Sequence, residues 1–243
     1  MIELVLIGII GGLISGFFSV GGGMILVPLL MFIGFGIKEA IAISIVQMVF
    51  SSLFGSFLNF KNGFLNINSG IYLGIGGAIG GIGGGFVVRY ANSTFLEYLF
   101  LFLILFAIYR FFNSSIDEEK KTIENSYLIF GIGIFVGVIA VSLGIGGALL
   151  LTPILVTILH FPIKKATSLA LFFIIFTSIS GFFSLLSHDM LDLENGVIVG
   201  IASLIGVYIG VNLVKTLDSR KFKKYILILY VIILMMFIKR MFL

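Results

Sequence analysis

Apolar residues in this chain do not alternate, nor do they recur only every third or fourth position; they run on in stretches of about twenty, separated by short polar connections. A helix crossing ~30 Å of hydrocarbon needs about 20 apolar residues at 1.5 Å each. Six stretches meet that length, at about 40–59, 71–88, 95–112, 166–186, 196–214 and 225–243. The last contains Lys239 and Arg240, side chains long enough to snorkel to the far interface. The predicted fold class is an all-α polytopic membrane protein.

Two further apolar stretches, 2–34 and 126–160, are too long for one crossing and are interrupted by glycine. As a straight helix, residues 2–34 would extend ~50 Å. Split at Gly21-Gly22-Gly23, the second piece is ~15 Å long and reaches only the midplane. Each interrupted stretch therefore reads as a re-entrant helical hairpin that returns to its starting side, followed by three transmembrane helices.

The pattern occurs twice. A shift of 126 aligns Phe35 to Ala40 with Phe161 to Ala166, Gly55 with Gly181, Gly70 with Gly196, and Gly74, Gly80 and Gly84 with Gly200, Gly206 and Gly210. A shift of 125 aligns Gly21-Gly22 with Gly146-Gly147 and Pro28 with Pro153. The predicted organisation is a first membrane repeat at 1–112, a polar linker at 113–125 and a second membrane repeat at 126–243. The N-terminus begins Met1-Ile2-Glu3 without the basic start of a secretory signal, and its pattern recurs at 126, so it reads as retained.

Three crossings per repeat is an odd number, which makes the repeats inverted. Cytoplasmic loops are enriched in Lys and Arg. The inverted arrangement puts Lys61, Arg110, Lys120, Lys121, Lys164, Lys165, Lys215, Arg220, Lys221, Lys223 and Lys224 on one side and Lys38, Arg89, Lys239 and Arg240 on the other, eleven against four. Parallel repeats would give nine against six. The charge bias favours inversion, with both termini extracytoplasmic.

Composition narrows the function. Of 243 residues 60% are hydrophobic and 11% charged, where a soluble domain has about a quarter charged. Clusters of ionisable catalytic groups are largely excluded. Cysteine is absent, and the two histidines, His160 and His188, are isolated, so thiolate chemistry, disulfides and Cys/His metal sites have no basis. The net charge of +4 sits in connections between spans and reports orientation, not nucleic-acid binding. No cofactor motif and no metal ligand set is present: Gly81 to Gly85 lies within a span with no strand before it, and Gly-x-Ser-x-Gly does not occur. The chain reads as no enzyme.

The anomaly is glycine, at 31 residues against 3 prolines. Gly76, Gly80, Gly84, Gly206 and Gly210 lie in uninterrupted spans, where small residues let helices approach closely. The clusters Gly21-Gly22-Gly23 and Gly144-Ile145-Gly146-Gly147 are different, because they break helices at membrane depth. A helix restarting after such a break presents free N–H groups and a positive dipole end, which suit an anion. The predicted substrate site is therefore formed by Gly21, Gly22, Gly23, Gly144, Gly146 and Gly147 with the hydroxyls of Ser15, Ser19, Ser142 and Thr152. From the helix after each hairpin come Gln47, Ser51 and Thr177; for Gln47, bonding to a neighbouring helix is an equal alternative. Ser44, Ser52, Ser178 and Ser180 cluster on the same two helices, and Asn59 reads as interfacial.

A broken helix carrying Gly-Gly-Gly or Gly-Ile-Gly-Gly and followed by a proline, once in each half of a chain this size, resembles the TauE/SafE family of membrane proteins. The resemblance covers essentially the whole chain. It implies a permease or exporter of sulfite or an organosulfonate in a prokaryotic cell membrane. The partners expected are a small anion and the lipid bilayer, with a homodimer as an open alternative to a single copy. The second copy departs from the pattern, having Ala148 where the first has Gly23. A transporter working by alternating access around the two breaks is the leading reading, and an anion channel using the breaks as a filter is the alternative.

Overall fold

The computed structural model describes residues 1–19, 21–63, 67–112, 122–123, 125–214 and 219–242, and among them it contains helices and no strand. The first five helices are α1 (Ile2–Phe18), α2 (Gly23–Phe32), α3 (Ile37–Lys61), α4 (Ile67–Tyr90) and α5 (Ser93–Phe112). The next five are α6 (Ser126–Ser142), α7 (Ala148–Thr157), α8 (Ile163–Leu186), α9 (Leu193–Val214) and α10 (Ser219–Phe242). The protein is an all-helical polytopic membrane protein. Ile37–Lys61, Gly70–Tyr90, Ile163–Leu186 and Leu193–Val214 are long and apolar enough to cross on their own. The expected spans at 95–112 and 225–243 form α5 and α10, of 20 and 24 residues. The linker expected at 113–125 lies outside the described residues apart from Thr122, Ile123 and Asn125, and so do Lys215 and the side chains of Arg220, Lys221 and Lys223.

Element order and length run alike in the two sequence halves. A 17-residue helix is followed by one of ten, in α1–α2 as in α6–α7. Both ten-residue helices carry an internal proline, Pro28 or Pro153, at the same place. At 1.5 Å per residue each is ~15 Å long, half a bilayer core. Each folds back against the helix before it. Leu26 Cδ1 stands 2.8 Å from where a Cβ on Gly11 would be, and a Cβ on Gly147 would lie 3.0 Å from that of Ala140.

Backbone conformation produces these reversals. Ser19, Gly21 and Gly22 have φ of 55°, 80° and 76°; Gly144, Gly146 and Gly147 have 63°, 71° and 88°. The same left-handed turn is thus built at two places 125 residues apart. Glycine adopts it freely, whereas Ser19 does so against a strain of about 1–2 kcal/mol.

The sequence halves are not the packing units. α1 packs along α9, and α6 along α4, so each hairpin is held by a helix from the other half. α3 packs against α9 and α8 against α4, while α2 meets α10 and α7 meets α5. Two exchanged bundles result, α1–α3 with α9–α10 and α6–α8 with α4–α5. They join where α3 crosses α8 and α5 meets α10, the latter through stacked rings of Phe100 and Phe237 at 4.6 Å.

Glycine makes both exchanged contacts possible. A Cβ on Gly8 would stand 2.7 Å from the carbonyl oxygen of Val199 on α9, and Cβ atoms on Gly12 and Gly16 would run into the carbonyls of Ser203 and Val207. In return, Gly206 and Gly210 lie on the carbonyls of Ile9 and Leu13. Likewise Gly76, Gly80 and Gly84 lie on Phe130, Ile134 and Val138 of α6. The packing role expected for these five α4 and α9 glycines is what the structure shows.

Gly80→Ala and Gly206→Ala should therefore lower the thermal midpoint of the purified protein in detergent, by a loss of about 1–3 kcal/mol, despite alanine's better helix propensity. Gly131→Ala, with nothing within 4 Å of the added carbon, should match or exceed wild type in the same measurement.

Candidate functional site

The two breaks meet at the α3–α8 crossing. Gly23 lies directly on the carbonyl of Gly144, which accepts a hydrogen bond of 2.8 Å from the Ser44 hydroxyl of α3. Because α3 runs from Ile37 to Lys61, the Ser44 contact sits in its second and third turns, about a third of the way along. The glycine clusters expected to converge are thus adjacent. The second carbonyl held by α3 is that of Gly21, which the Ser51 hydroxyl reaches at 3.5 Å.

The point of closest approach is apolar. Ile174 Cδ1 stands 2.5 Å from a Cβ position on Gly21 and 3.1 Å from one on Gly146, and Met48 Sδ is 2.8 Å from the latter. Met48 and Ile174 are themselves 126 residues apart and face each other across the crossing. Sequence reasoning missed them because an apolar residue in an apolar span carries no signal; only their correspondence under the repeat shift marks them.

The polar face lies to one side, at Gly22. Both Nε2 and Oε1 of Gln47 stand 2.9 Å from a Cβ position on Gly22, so the carboxamide lies flat on a backbone that has no side chain. Gln47 is fully buried, and neither of its polar atoms has a hydrogen-bond partner. The expected alternative of a bond to a neighbouring helix is not what the structure shows. At the matching place on α8 stands Phe173, whose ring packs on Gly147 and Gly77. One break is stoppered by an aromatic ring and the other faces an unsatisfied amide.

Beside Gln47 the restart of α2 offers its own donors. The first intrahelical bonds are made by the amides of Ile25 and Leu26 to the carbonyl of Gly22, and the amides before them have no acceptor within the helix. The restart of α7 is built alike, Leu150 and Leu151 bonding to Gly147.

The remaining predicted residues divide. Ser19 caps α1 in its left-handed conformation and is buried. Ser15 and Thr152 are buried with hydroxyls that find no partner. Ser142 is drawn into the α6–α4 contact, its hydroxyl bonding the carbonyls of Val138 at 2.6 Å and Gly84 at 3.4 Å. Thr177 bonds back to its own helix at Ile174, 3.2 Å away. Asn59, expected at the interface, is instead buried, with Nδ2 unpartnered. Such orphaned groups cost about 1–3 kcal/mol each.

Two interrupted helices that meet at a helix crossing in a polytopic helical protein are an architecture that membrane transporters use. Comparison with known proteins agrees. Residues 4–237 match the family described as sulfite exporter TauE/SafE, and the chain belongs to that family. A probable membrane transporter protein of Methanocaldococcus jannaschii is 31% identical over 76% of this chain and 72% of its own length. The probable membrane transporter protein YdhB of Bacillus subtilis is 26% identical over 85% of this chain and 87% of its own. No solved structure matches. The protein is a membrane transporter.

If Gln47 is retained for its chemistry and not for packing, Gln47→Leu should stabilise the fold by about 1–3 kcal/mol, since an unsatisfied buried amide is replaced by an apolar group of similar length. Thermal denaturation of the purified variant checks this, and a lower midpoint would show that the amide supports the structure.

Proposed function

We propose that the protein is a secondary transporter of a small oxyanion, sulfite or an organosulfonate, which binds at Gly22 and Gln47 on the first-turn amides of α2. The unpartnered Gln47 carboxamide lying on a glycine break carries this reading. A buried Lys or Arg would cost several kcal/mol in the empty state, whereas a carboxamide and backbone amides hold an anion without that charge. The carboxamide presents a donor and an acceptor together. That pairing suits an oxyanion bearing one proton, such as hydrogen sulfite, better than a fully ionised one. The family description, sulfite exporter TauE/SafE, supports the same substrate class.

Alternating access in this fold would move the exchanged bundles and not the sequence halves. Rocking residues 1–112 against 126–243 would tear α1 from α9 and α6 from α4, where backbone lies on backbone. Rotation at the α3–α8 crossing leaves those contacts intact. It would slide Met48 past Ile174 and uncover the break on either side. The two repeats are inverted in this reading, the membrane is the prokaryotic cell membrane, and both termini are extracytoplasmic. A reporter fused after Leu243 should then read as extracytoplasmic, and a cytoplasmic reading would require the opposite topology.

Flux into proteoliposomes tests the site, with sulfite, sulfate, thiosulfate, sulfoacetate and taurine compared side by side. Gln47→Leu should weaken the preferred anion about tenfold, the worth of one lost hydrogen bond of roughly 1.4 kcal/mol. Gly22→Leu and Gly147→Leu, at φ of 76° and 88°, should abolish flux while protein still reaches the membrane. Wild-type flux from Gly22→Leu would remove the site from this break.

A further inference from the structure

Beyond this site, buried polar groups without hydrogen-bond partners continue along α3. Residues 47, 51, 55 and 59 are spaced by four and form one inclined row on the helix. In α3 that row reads Gln47, Ser51, Gly55, Asn59, flanked by Ser52 and Ser56. Every one of these is buried, and Ser52 Oγ, Ser56 Oγ and Asn59 Nδ2 have no hydrogen-bond partner. The matching row on α8 reads Phe173, Thr177, Gly181, Leu185. There the hydroxyls are satisfied: Thr177 bonds Ile174, and Ser178, the counterpart of Ser52, bonds the Ile175 carbonyl at 3.2 Å. A serine in a helix ordinarily bonds back in this way. On α3 Ser52 and Ser56 do not.

From Gln47 to Asn59 the row climbs ~18 Å at 1.5 Å per residue, somewhat more than half of a ~30 Å core. It leads from the midplane site to the end of α3, where Lys61 is exposed. At Gly55 the row is closed off: Leu171 Cδ2 stands 2.7 Å and Val207 Cγ1 3.4 Å from a Cβ position on that glycine. Leu171 belongs to α8, the helix of the other bundle at the crossing.

We propose that this row is a one-sided anion path from the Gln47 site to the membrane face marked by Lys61. Leu171 closes it at Gly55 and the unpartnered Ser52, Ser56 and Asn59 line it. It rests on the transporter reading above and adds that one repeat supplies the path while the other, closed by Phe173 and Leu185, supplies packing. Charge suits the direction. A lysine at the mouth attracts an anion, and hydroxyl and amide N–H groups along the way offer donors without binding so tightly that release stalls.

The chain has no cysteine, so single cysteines can be read against a silent background. Ser56→Cys and Asn59→Cys, with Lys61→Cys marking the face, would be exposed in sealed vesicles to an anionic, membrane-impermeant methanethiosulfonate, with Ser178→Cys and Leu185→Cys on α8 for comparison. Modification of 56 and 59 from the same face as 61, with loss of flux, and none at 178 or 185, is the expected result. Labelling after denaturation in detergent confirms that every thiol is present and reactive. Protection of 56 and 59 from both faces, or equal modification of both repeats, would overturn the path. Because labelling needs no substrate, a failed path with the anion still bound about tenfold more weakly by Gln47→Leu would leave the binding site standing. Labelling as expected with wild-type anion affinity in Gln47→Leu would do the reverse.

Discussion

The contact on which the structure depends is the approach of backbone to backbone along α1–α9 and α6–α4. Lipid tails are as apolar as leucine, so helices in a bilayer gain nothing by burying apolar surface against each other. What remains is close packing and weak Cα–H···O contacts, both of which require that no side chain intervene. Gly8, Gly12 and Gly16 facing Gly206 and Gly210, and Gly76, Gly80 and Gly84 facing Gly133 and Gly137, provide that absence. Each hairpin contributes one of the two surfaces, and the other always comes from the far half of the chain. The short helices α2 and α7, which cannot cross the bilayer, are thereby fixed at the depth where they restart. The breaks exist because exchanged partners hold what comes before them.

Within that frame the two breaks are alike in backbone and unlike in surroundings. The left-handed turn at 19–22 and 144–147 is the same to within a few tens of degrees in φ. What differs is the residue laid upon it, Gln47 against Phe173. The difference propagates: Gly77 on α4 makes room for the ring of Phe173, while its counterpart under the repeat shift is Ser203, bonded at 2.6 Å to its own helix at Gly200. Ser44, which holds the Gly144 carbonyl, has Ala170 as counterpart. Of the two places that lie on the breaks, the second copy's carries an aromatic packing partner and the first copy's an unsatisfied amide.

Much of this was legible in the sequence for a simple reason: a bilayer imposes lengths. Spans of about twenty residues, two stretches too long for one crossing and glycine clusters inside them lead directly to ten helices in two sets of five. The exchange of partners was not legible. A glycine every fourth residue in Gly76-Gly80-Gly84 announces that some backbone comes close without saying whose. The apolar centre at Met48 and Ile174 was hidden for the same reason, since shape complementarity leaves no mark on composition. Asn59 misled because position near a helix end suggests an interface, whereas its burial is set by the helices that surround α3. Gln47 and the glycine clusters were legible because each breaks a rule of its surroundings, polarity in one case and helical backbone in the other.

The unpartnered atoms on α3 decide how the scarcity of charge should be read. If Ser52 and Ser56 served only to soften packing, rotation about one bond would let each donate to a carbonyl of its own helix, as Ser178, Ser180 and Ser203 do. That bond would recover about 1 kcal/mol apiece. Gln47 has no such recourse on a helix whose facing neighbour is a glycine break, and a residue as apolar as Phe173 is accepted at the corresponding place. In the path proposed above, the partners that these groups lack in the empty protein are supplied by the substrate. On the proposed reading the site is poor in charge because neutral donors hold the anion, and such donors can release it into the opposite compartment as readily as they take it up.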